Sequence, residues 1–315
     1  MTPYWQSDDG ALTLHHGRWQ ETLASIPDGS VRLILMSPPY DNARTYEGTN
    51  EPVDFDELAS FCLRVLCPGG VCAMVLDGAV NDGVQSTTPY EVMCSWSSGV
   101  PHHVLRALMA GETMSVPPLV KPPWRLLQVL AYGRRGAPGA YKGRFRRDHE
   151  PLIVMVKNGA SHVCEKDRIA SASKQDMNRS VGAASVRRRD GGSEAFGVSQ
   201  TGNRRVVRNI VHRGSFWDYG MVGHGHDPSA DTGHPATFSE QFAIDAVQVW
   251  SNPGEMVCDP FSGSGTVMKA CHLLGRRFVG SERVKEYADI SVGRLGAITA
   301  ERAAESFGPL FGGVK

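Results

Sequence analysis

One segment constrains the fold of this chain more than any other: Asp259-Pro260-Phe261-Ser262-Gly263-Ser264-Gly265-Thr266. It lies between a short apolar run, Met256–Cys258, and a stretch whose Val267, Ala270, Cys271 and Leu274 recur at helical spacing. A glycine-rich turn from strand to helix lets the backbone approach a ligand closely and offers helix-terminal N–H groups to its polar atoms. Glu282 follows 23 positions after Asp259, at the end of the next strand, Phe278–Gly280. In dinucleotide folds an acid at that place accepts two hydrogen bonds from a ribose diol. A plain tight turn would explain the glycines alone, but not the strand, helix and acid around them. The turn has neither the G-x-G-x-x-G spacing of a dinucleotide site nor the G-K-[ST] ending of a P-loop. It therefore points to an adenosine-bearing ligand without a triphosphate.

A second motif sits near the other end of the chain. The apolar run Val31–Met36 stops at Ser37-Pro38-Pro39-Tyr40. Two prolines cannot continue a ladder, so the run reads as a buried strand ending in a rigid turn. Open α/β sheets place their chemistry at that edge. The Pro-Pro carbonyls lack competing local donors, Ser37 adds a hydroxyl acceptor, and Tyr40 offers a flat ring. Such a group would hold an exocyclic amine by its two hydrogens while the ring stacks on a base.

Between these motifs the pattern is that of an α/β chain. Phe55–Leu66 has helical spacing and stops at Cys67-Pro68-Gly69-Gly70, after which Val71–Leu76 reads as a strand. Val120–Tyr132 reads as helical in its middle, and Pro151–Val156 as a buried strand. Further on, Phe238–Trp250 and Val284–Leu295 are expected helices. From about 159 to 233 periodicity fades, leaving Val206–Val211 and Phe216–Tyr219 as apolar anchors. A stretch that long is either a disordered insert or a small recognition domain folded on its own terms.

The two motifs together resemble the cofactor and catalytic motifs of S-adenosylmethionine-dependent DNA amino methyltransferases. With the catalytic motif first, the order is that of the β group of those enzymes. His234-Pro235, with Thr237 and the following helix, is similar to the family's extra cofactor segment, and His149–Val154 to the strand closing its catalytic half. The resemblance covers roughly residues 12–159 and 234–295. It implies a Rossmann-like, mostly parallel sheet of seven strands built from both ends of the chain. Residues 1–160 would form the catalytic half, 161–233 a target-recognition segment, and 234–315 the cofactor-binding half. It assigns catalysis to Ser37, Pro38, Pro39 and Tyr40. It assigns S-adenosylmethionine to His234, Pro235, Thr237, Asp259, Pro260, Phe261, Ser262, Gly263, Ser264, Gly265, Thr266 and Glu282. The chain departs from the family pattern at Gly17-Arg18, where Gly-Asp is usual, at Arg32, where an acid is usual, and at Phe238-Ser239.

The implied reaction is in-line attack of a base amino nitrogen on a sulfonium methyl, with the base flipped out of the duplex. Within the family, Ser-Pro-Pro-Tyr leans toward N4 of cytosine, while Asp- or Asn-Pro-Pro-Tyr leans toward N6 of adenine, the second reading for this chain. Carbon-5 methylation of cytosine needs a cysteine nucleophile, usually in Pro-Cys, and the chain contains no Pro-Cys. The same scaffold could also serve a non-catalytic DNA-binding protein, or an RNA or protein-glutamine methyltransferase. Relatives of this kind often form homodimers and accompany a restriction endonuclease, so both are expected partners besides double-stranded DNA.

Charge bears on the DNA partner. The chain carries 33 Lys+Arg against 33 Asp+Glu, a net charge of zero. That neutrality conceals two basic segments. Residues 121–147 hold eight Lys/Arg and no acid, and residues 174–213 hold nine against three acids. Arg144, Arg146, Arg147, Arg187, Arg188, Arg189, Arg204 and Arg205 are the candidates for gripping phosphates. The seven cysteines include no C-x-x-C pair, which suits reduced thiols in the cytoplasm. His212, His224, His226 and His234 fall among glycines and read as a polar loop, so no metal is expected. No apolar run approaches the ~20 residues of a membrane span, and the first ten residues lack the pattern of a secretory signal.

Overall fold

Five strands run parallel at the centre of one sheet and define a single carboxyl-terminal edge. This computed structural model describes residues 2–39, 52–81, 84–116, 122–133, 148–172, 184–187, 193–196, 210–219 and 239–296. Contacts divide the chain into a main body, Met1–Glu165 with Gly214–Lys315, and a smaller unit, Lys166–Arg213.

The main body begins with β1 (Trp5–Gln6), β2 (Leu12–His16), α1 (Trp19–Thr22) and β3 (Val31–Met36). Next come α2 (Phe55–Val65), β4 (Leu66–Val75), a hairpin of β5 (Val80–Asn81) and β6 (Val84–Gln85), α3 (Thr88–Ser98) and α4 (His102–Met109). The strands β7 (Trp124–Gly133) and β8 (His149–Lys157) complete this half. The smaller unit contains β9 (Ser171–Ala172) paired with β12 (Ile210–Val211), and a hairpin of β10 (Ala184–Arg187) and β11 (Ser193–Phe196). The chain returns to the main body through β13 (Phe216–Asp218), α5 (Glu240–Trp250), β14 (Met256–Asp259), α6 (Thr266–Leu274), β15 (Arg277–Glu282) and α7 (Lys285–Gly296).

The sheet order is β1-β2-β15-β14-β3-β4-β8-β7-β13. Seven strands were expected and nine are present among the described residues; the seven from β2 to β7 are extended by the two-residue β1 and the three-residue β13. Five of the eight pairings are parallel, so the sheet is mixed but mostly parallel. Alternation along β3 splits its side chains between the two faces. Ile34 and Met36 join a core with Phe55, Leu58, Phe61 and Val65 of α2. Leu33 and Leu35 belong to the other face, where α5 meets β3. All four β3 residues are fully buried. The helix α2 starts where the Asp54 carboxylate accepts from the Asp56 and Glu57 N–H groups, satisfying donors that a helix leaves orphaned.

Two sequence expectations are corrected. Residues 124–133 form β7 rather than a helix, because ladders to β8 and β13 engage the backbone on both sides. A register shift between Leu126 and Gln128 breaks strict alternation and produces the helix-like spacing. The pairing of β4 begins at Leu66, ahead of the expected Val71, and runs past Pro68 by an irregularity opposite Val31–Leu33. Gly69 there has φ 74°, and a Cβ on it would lie 2.3 Å from the Ser161 carbonyl oxygen, so only glycine fits.

Trp217 fixes β13 to the main body by stacking on Trp250, with ring centroids 5.5 Å apart and planes 9° from parallel. Trp217→Ala should lower stability by about 3–5 kcal/mol, read as a shift of the denaturant midpoint.

Candidate active site

The order of the sheet reverses between β14 and β3: from β3 the chain builds outward to β4, and from β14 it builds the other way to β15. A reversal of this kind opens a crevice beyond the carboxyl ends of the two strands, where open α/β sheets bind ligands. The ladder pairs Val257 with Leu33 and Cys258 with Ile34. Asp259 and the turn after it therefore emerge beside Ser37-Pro38-Pro39. Ser37 and Pro39 are half-buried and Pro38 is buried. On the flanks of the same edge, Glu282 ends β15 and Asp77 follows β4.

The turn after β14 is held from several sides. Phe261 N–H donates to Asp259 Oδ1 at 3.0 Å, Ser262 N–H to the Ser281 carbonyl at 2.9 Å, and Gly265 N–H to the Ser262 carbonyl at 2.9 Å. Gly263 N–H donates to Glu282 Oε2 at 2.7 Å, while Val284 N–H donates to Oε1 at 2.8 Å. The Glu282 carboxylate is thus oriented by backbone, and each oxygen keeps a lone pair for another donor. Gly265 has φ 77° and packs on α7, where a Cβ would lie 2.0 Å from Ser291 Oγ and 3.1 Å from its Cα. Gly280, opposite Asp259 in the ladder, has no room for a side chain either, since a Cβ would meet Phe278 Cζ at 2.4 Å.

Electrostatics single out the acids. Burial pushes the Asp259 carboxyl up to about 8, with the Glu282 charge adding to the rise and only the Phe261 N–H opposing it. Glu282 is also raised, chiefly by burial, although backbone N–H groups and the Arg283 charge oppose the shift. Two neighbouring acids, Asp259 buried and Glu282 half-buried, favour a ligand that brings positive charge.

The structure brings together Ser37, Pro38, Pro39, Asp259, Pro260, Phe261, Ser262, Gly263, Ser264, Gly265, Thr266 and Glu282 at one edge. Tyr40, His234, Pro235 and Thr237 lie outside the described residues, as do Arg144, Arg146, Arg147, Arg188, Arg189, Arg204 and Arg205. Arg187 is placed by its backbone alone, as the last residue of β10. His224 and His226 also fall outside, and His212 pairs with Asp167 within the smaller unit. Arg32, where the family pattern has an acid, pairs with Glu255 at 3.0 Å. Sequence reasoning missed Asp77, buried at the β4 edge, where its Oδ1 accepts from Gly78 N–H and Gln85 Nε2. The signal was available: an acid directly beyond an expected buried strand.

Fold and edge together define a Rossmann-like α/β protein with its ligand crevice at the strand reversal. Comparison with known proteins agrees. A family model described as DNA methylase, for N6 and N4 amino methylation, matches residues 31–293. The chain belongs to that family. Among its relatives is the orphan methyltransferase M.BamHII of Bacillus amyloliquefaciens, 26% identical over 275 residues, covering 86% of this chain and 91% of the relative. Another is the DNA adenine methyltransferase YhdJ of Escherichia coli strain K12, 24% identical over 295 residues, covering 94% and 86%. Among solved structures, the cytosine-N4-specific PvuII DNA methyltransferase superposes with a TM-score of 0.58 at 15% identity, covering 99% of this chain and 96% of that one. Among the described residues, no helix is long and apolar enough to cross a membrane.

Two outcomes follow from this geometry. Gly275, with φ 66° and open space around it, should tolerate alanine at a cost of ~1–2 kcal/mol. Gly265→Ala should cost more, and combining it with Ser291→Gly should cost less than the two singles added, in a double-mutant cycle by denaturation. The second outcome concerns pH. Because the folded value of Asp259 lies above its ordinary 3.8, its contribution to stability is whole below about pH 4 and is lost as pH rises through about 8. Asp259→Asn should remove that decline, so its stability relative to the parent should grow from pH 6 to pH 8 and level off above.

Proposed function

We propose that the chain methylates DNA at the exocyclic amine of a flipped base, N4 of cytosine, within a specific sequence. The observation that carries this reading is the emergence of Ser37-Pro38-Pro39 beside the Asp259 turn where the strand order reverses. A donor held on one side of that crevice meets an amine held on the other.

The methyl donor of this family is S-adenosylmethionine, and the residues present suit it. Two acids raised by desolvation, one buried and one half-buried, favour a ligand with a sulfonium and an ammonium, and Glu282 is oriented by backbone N–H groups with lone pairs left for a ribose diol. Asp259 and Glu282, with the turn from Pro260 to Thr266, would hold it. When bound, it supplies an electrophilic methyl group on sulfur. The rest of the chemistry falls to the chain. An exocyclic amine conjugated to its ring is a weak nucleophile. Hydrogen bonds from its two protons to the Ser37 hydroxyl and the Pro38 carbonyl localise the lone pair on nitrogen and aim it. The proton can leave after transfer, so no strong base is needed. Tyr40 would hold the flipped base by stacking. The arginines of the two basic segments would grip the phosphates of duplex DNA. A second copy of the chain and a companion restriction endonuclease belong to this reading through the family resemblance alone.

Serine ahead of Pro-Pro favours cytosine N4 by the same resemblance. N6 of adenine is the second reading, favoured by the adenine methyltransferase among the relatives. Expression in a host free of DNA methylation, followed by digestion of its DNA to nucleosides, distinguishes them. N4-methylcytosine is expected; N6-methyladenine would establish the second reading, and no modified nucleoside would overturn both. A further outcome follows from Asp259. A cation bound beside a carboxyl favours its charged form, so donor affinity should rise with pH up to about 8, by as much as about tenfold per unit. Asp259→Asn should bind more weakly and show no such rise in calorimetry.

A further inference from the structure

The glycine-rich turn is gripped from α7 by a side chain that neither motif contains. Arg294 Nη1 donates to the Ser264 carbonyl at 2.6 Å, to Ser264 Oγ at 3.0 Å and to Thr266 Oγ1 at 3.1 Å. Its Nη2 donates to Glu240 Oε1 at 2.6 Å, and Lys269 Nζ donates to the same oxygen at 2.8 Å. Arg294, Glu240 and Lys269 are each largely buried, with side-chain exposures of 13%, 17% and 19%. Burial works against the charge on Glu240, yet the hydrogen bonds and charges of Lys269 and Arg294 outweigh it and hold its carboxyl below the ordinary value. One turn earlier on α7, Ser291 occupies the space that a side chain at Gly265 would need.

These contacts have a specific consequence for the turn. The Ser264 carbonyl belongs to the same rigid peptide unit as the Gly265 N–H, which donates back to the Ser262 carbonyl. Gly265 itself lies at φ 77°, a conformation glycine leaves as readily as it enters. Arg294 Nη1 alone reaches both the Ser264 carbonyl, in the peptide plane before the glycine, and the Thr266 hydroxyl after it, while Nη2 of the same planar guanidinium is anchored on Glu240. Glu240 in turn fixes the fork, tying the first residue of α5 to the start of α6 through α7. The matched family span ends at residue 293, one position short of this arginine.

We propose that Arg294 is a positioning residue for binding of the methyl donor: through Ser264 and Thr266 it keeps the turn in the shape the donor meets, and Glu240 keeps Arg294 in place. The proposal rests on the reading of the turn as the S-adenosylmethionine site. Arg294 does not reach the Ser37 edge through any of these contacts, so its effect falls on donor affinity and not on the transfer step.

The test is calorimetry of S-adenosylmethionine binding together with steady-state kinetics on duplex DNA carrying the recognised site. Arg294→Ala should raise the donor Kd and donor KM tenfold or more, while kcat at saturating donor and KM for DNA stay within about threefold of the parent. Arg294→Lys, which keeps the charge but loses the fork, should fall between the two. Glu240→Gln, which keeps the shape and weakens the anchor, should raise the donor Kd severalfold, and serves if the alanine variant fails to fold. Gly275→Ala, destabilised at the opposite end of α6 from the turn, should leave the donor Kd unchanged, separating affinity from stability. A donor Kd unchanged in Arg294→Ala and Glu240→Gln, or a fall in kcat with unchanged donor KM, would overturn the proposal alone. A parent chain that binds no S-adenosylmethionine would overturn the reading beneath it.

Discussion

The parallel pairing of β14 with β3 is the constraint on which everything else depends. It joins residues near 257 to residues near 33, from opposite ends of the chain, at the centre of one sheet. Nothing local holds either motif in place relative to the other. Remove that ladder and the Ser37 turn and the Asp259 turn become separate loops with separate chemistry. Because the strands are parallel, both turns leave the sheet on the same side; because the strand order reverses there, a crevice opens between them. The long separation in sequence also makes this pairing expensive in loop entropy. The fully buried β3 side chains, packed on α2 at one face and facing α5 at the other, offset that cost.

Around β14 and β15, tight packing and electrostatics pull in different directions. Gly265 and Gly280 let the turn and strands close onto α7 and Phe278 with no space for a side chain. That closure buries Asp259 and brings it near Glu282, so the fold holds two acids whose ionisation it resists. The strain is of a kind a cationic ligand relieves. Preorganisation of the turn and destabilisation of its charges thus come from the same packing, as is common where a fold stores free energy at a site.

Much of this is legible in the sequence, and the parts that are not share a cause. The strand Val31–Met36 can be read with its full bounds, since a short apolar run closed by Pro-Pro admits few readings. The helices beginning at Phe55 and Thr266 follow from apolar spacing and glycine or proline stops. Residues 124–133 mislead because a β-bulge shifts the alternation, and a bulge depends on partners that a local window does not contain. The same limit hides Arg294 and Glu240. They lie 54 positions apart, each looks like an ordinary charge on an amphipathic helix, and only tertiary packing places both on the turn. Motif chemistry is local and therefore readable; the braces that hold a motif are not.

The most direct test of the whole account separates the two sides of the crevice. Ser37→Ala removes one proposed acceptor for the target amine and touches nothing proposed for the donor. It should bind S-adenosylmethionine with the parent's Kd while the single-turnover rate of methyl transfer to duplex DNA falls by roughly a hundredfold or more. Transfer at the parental rate by Ser37→Ala, with donor binding intact, would contradict the assignment of chemistry to the end of β3 and the reading built upon it.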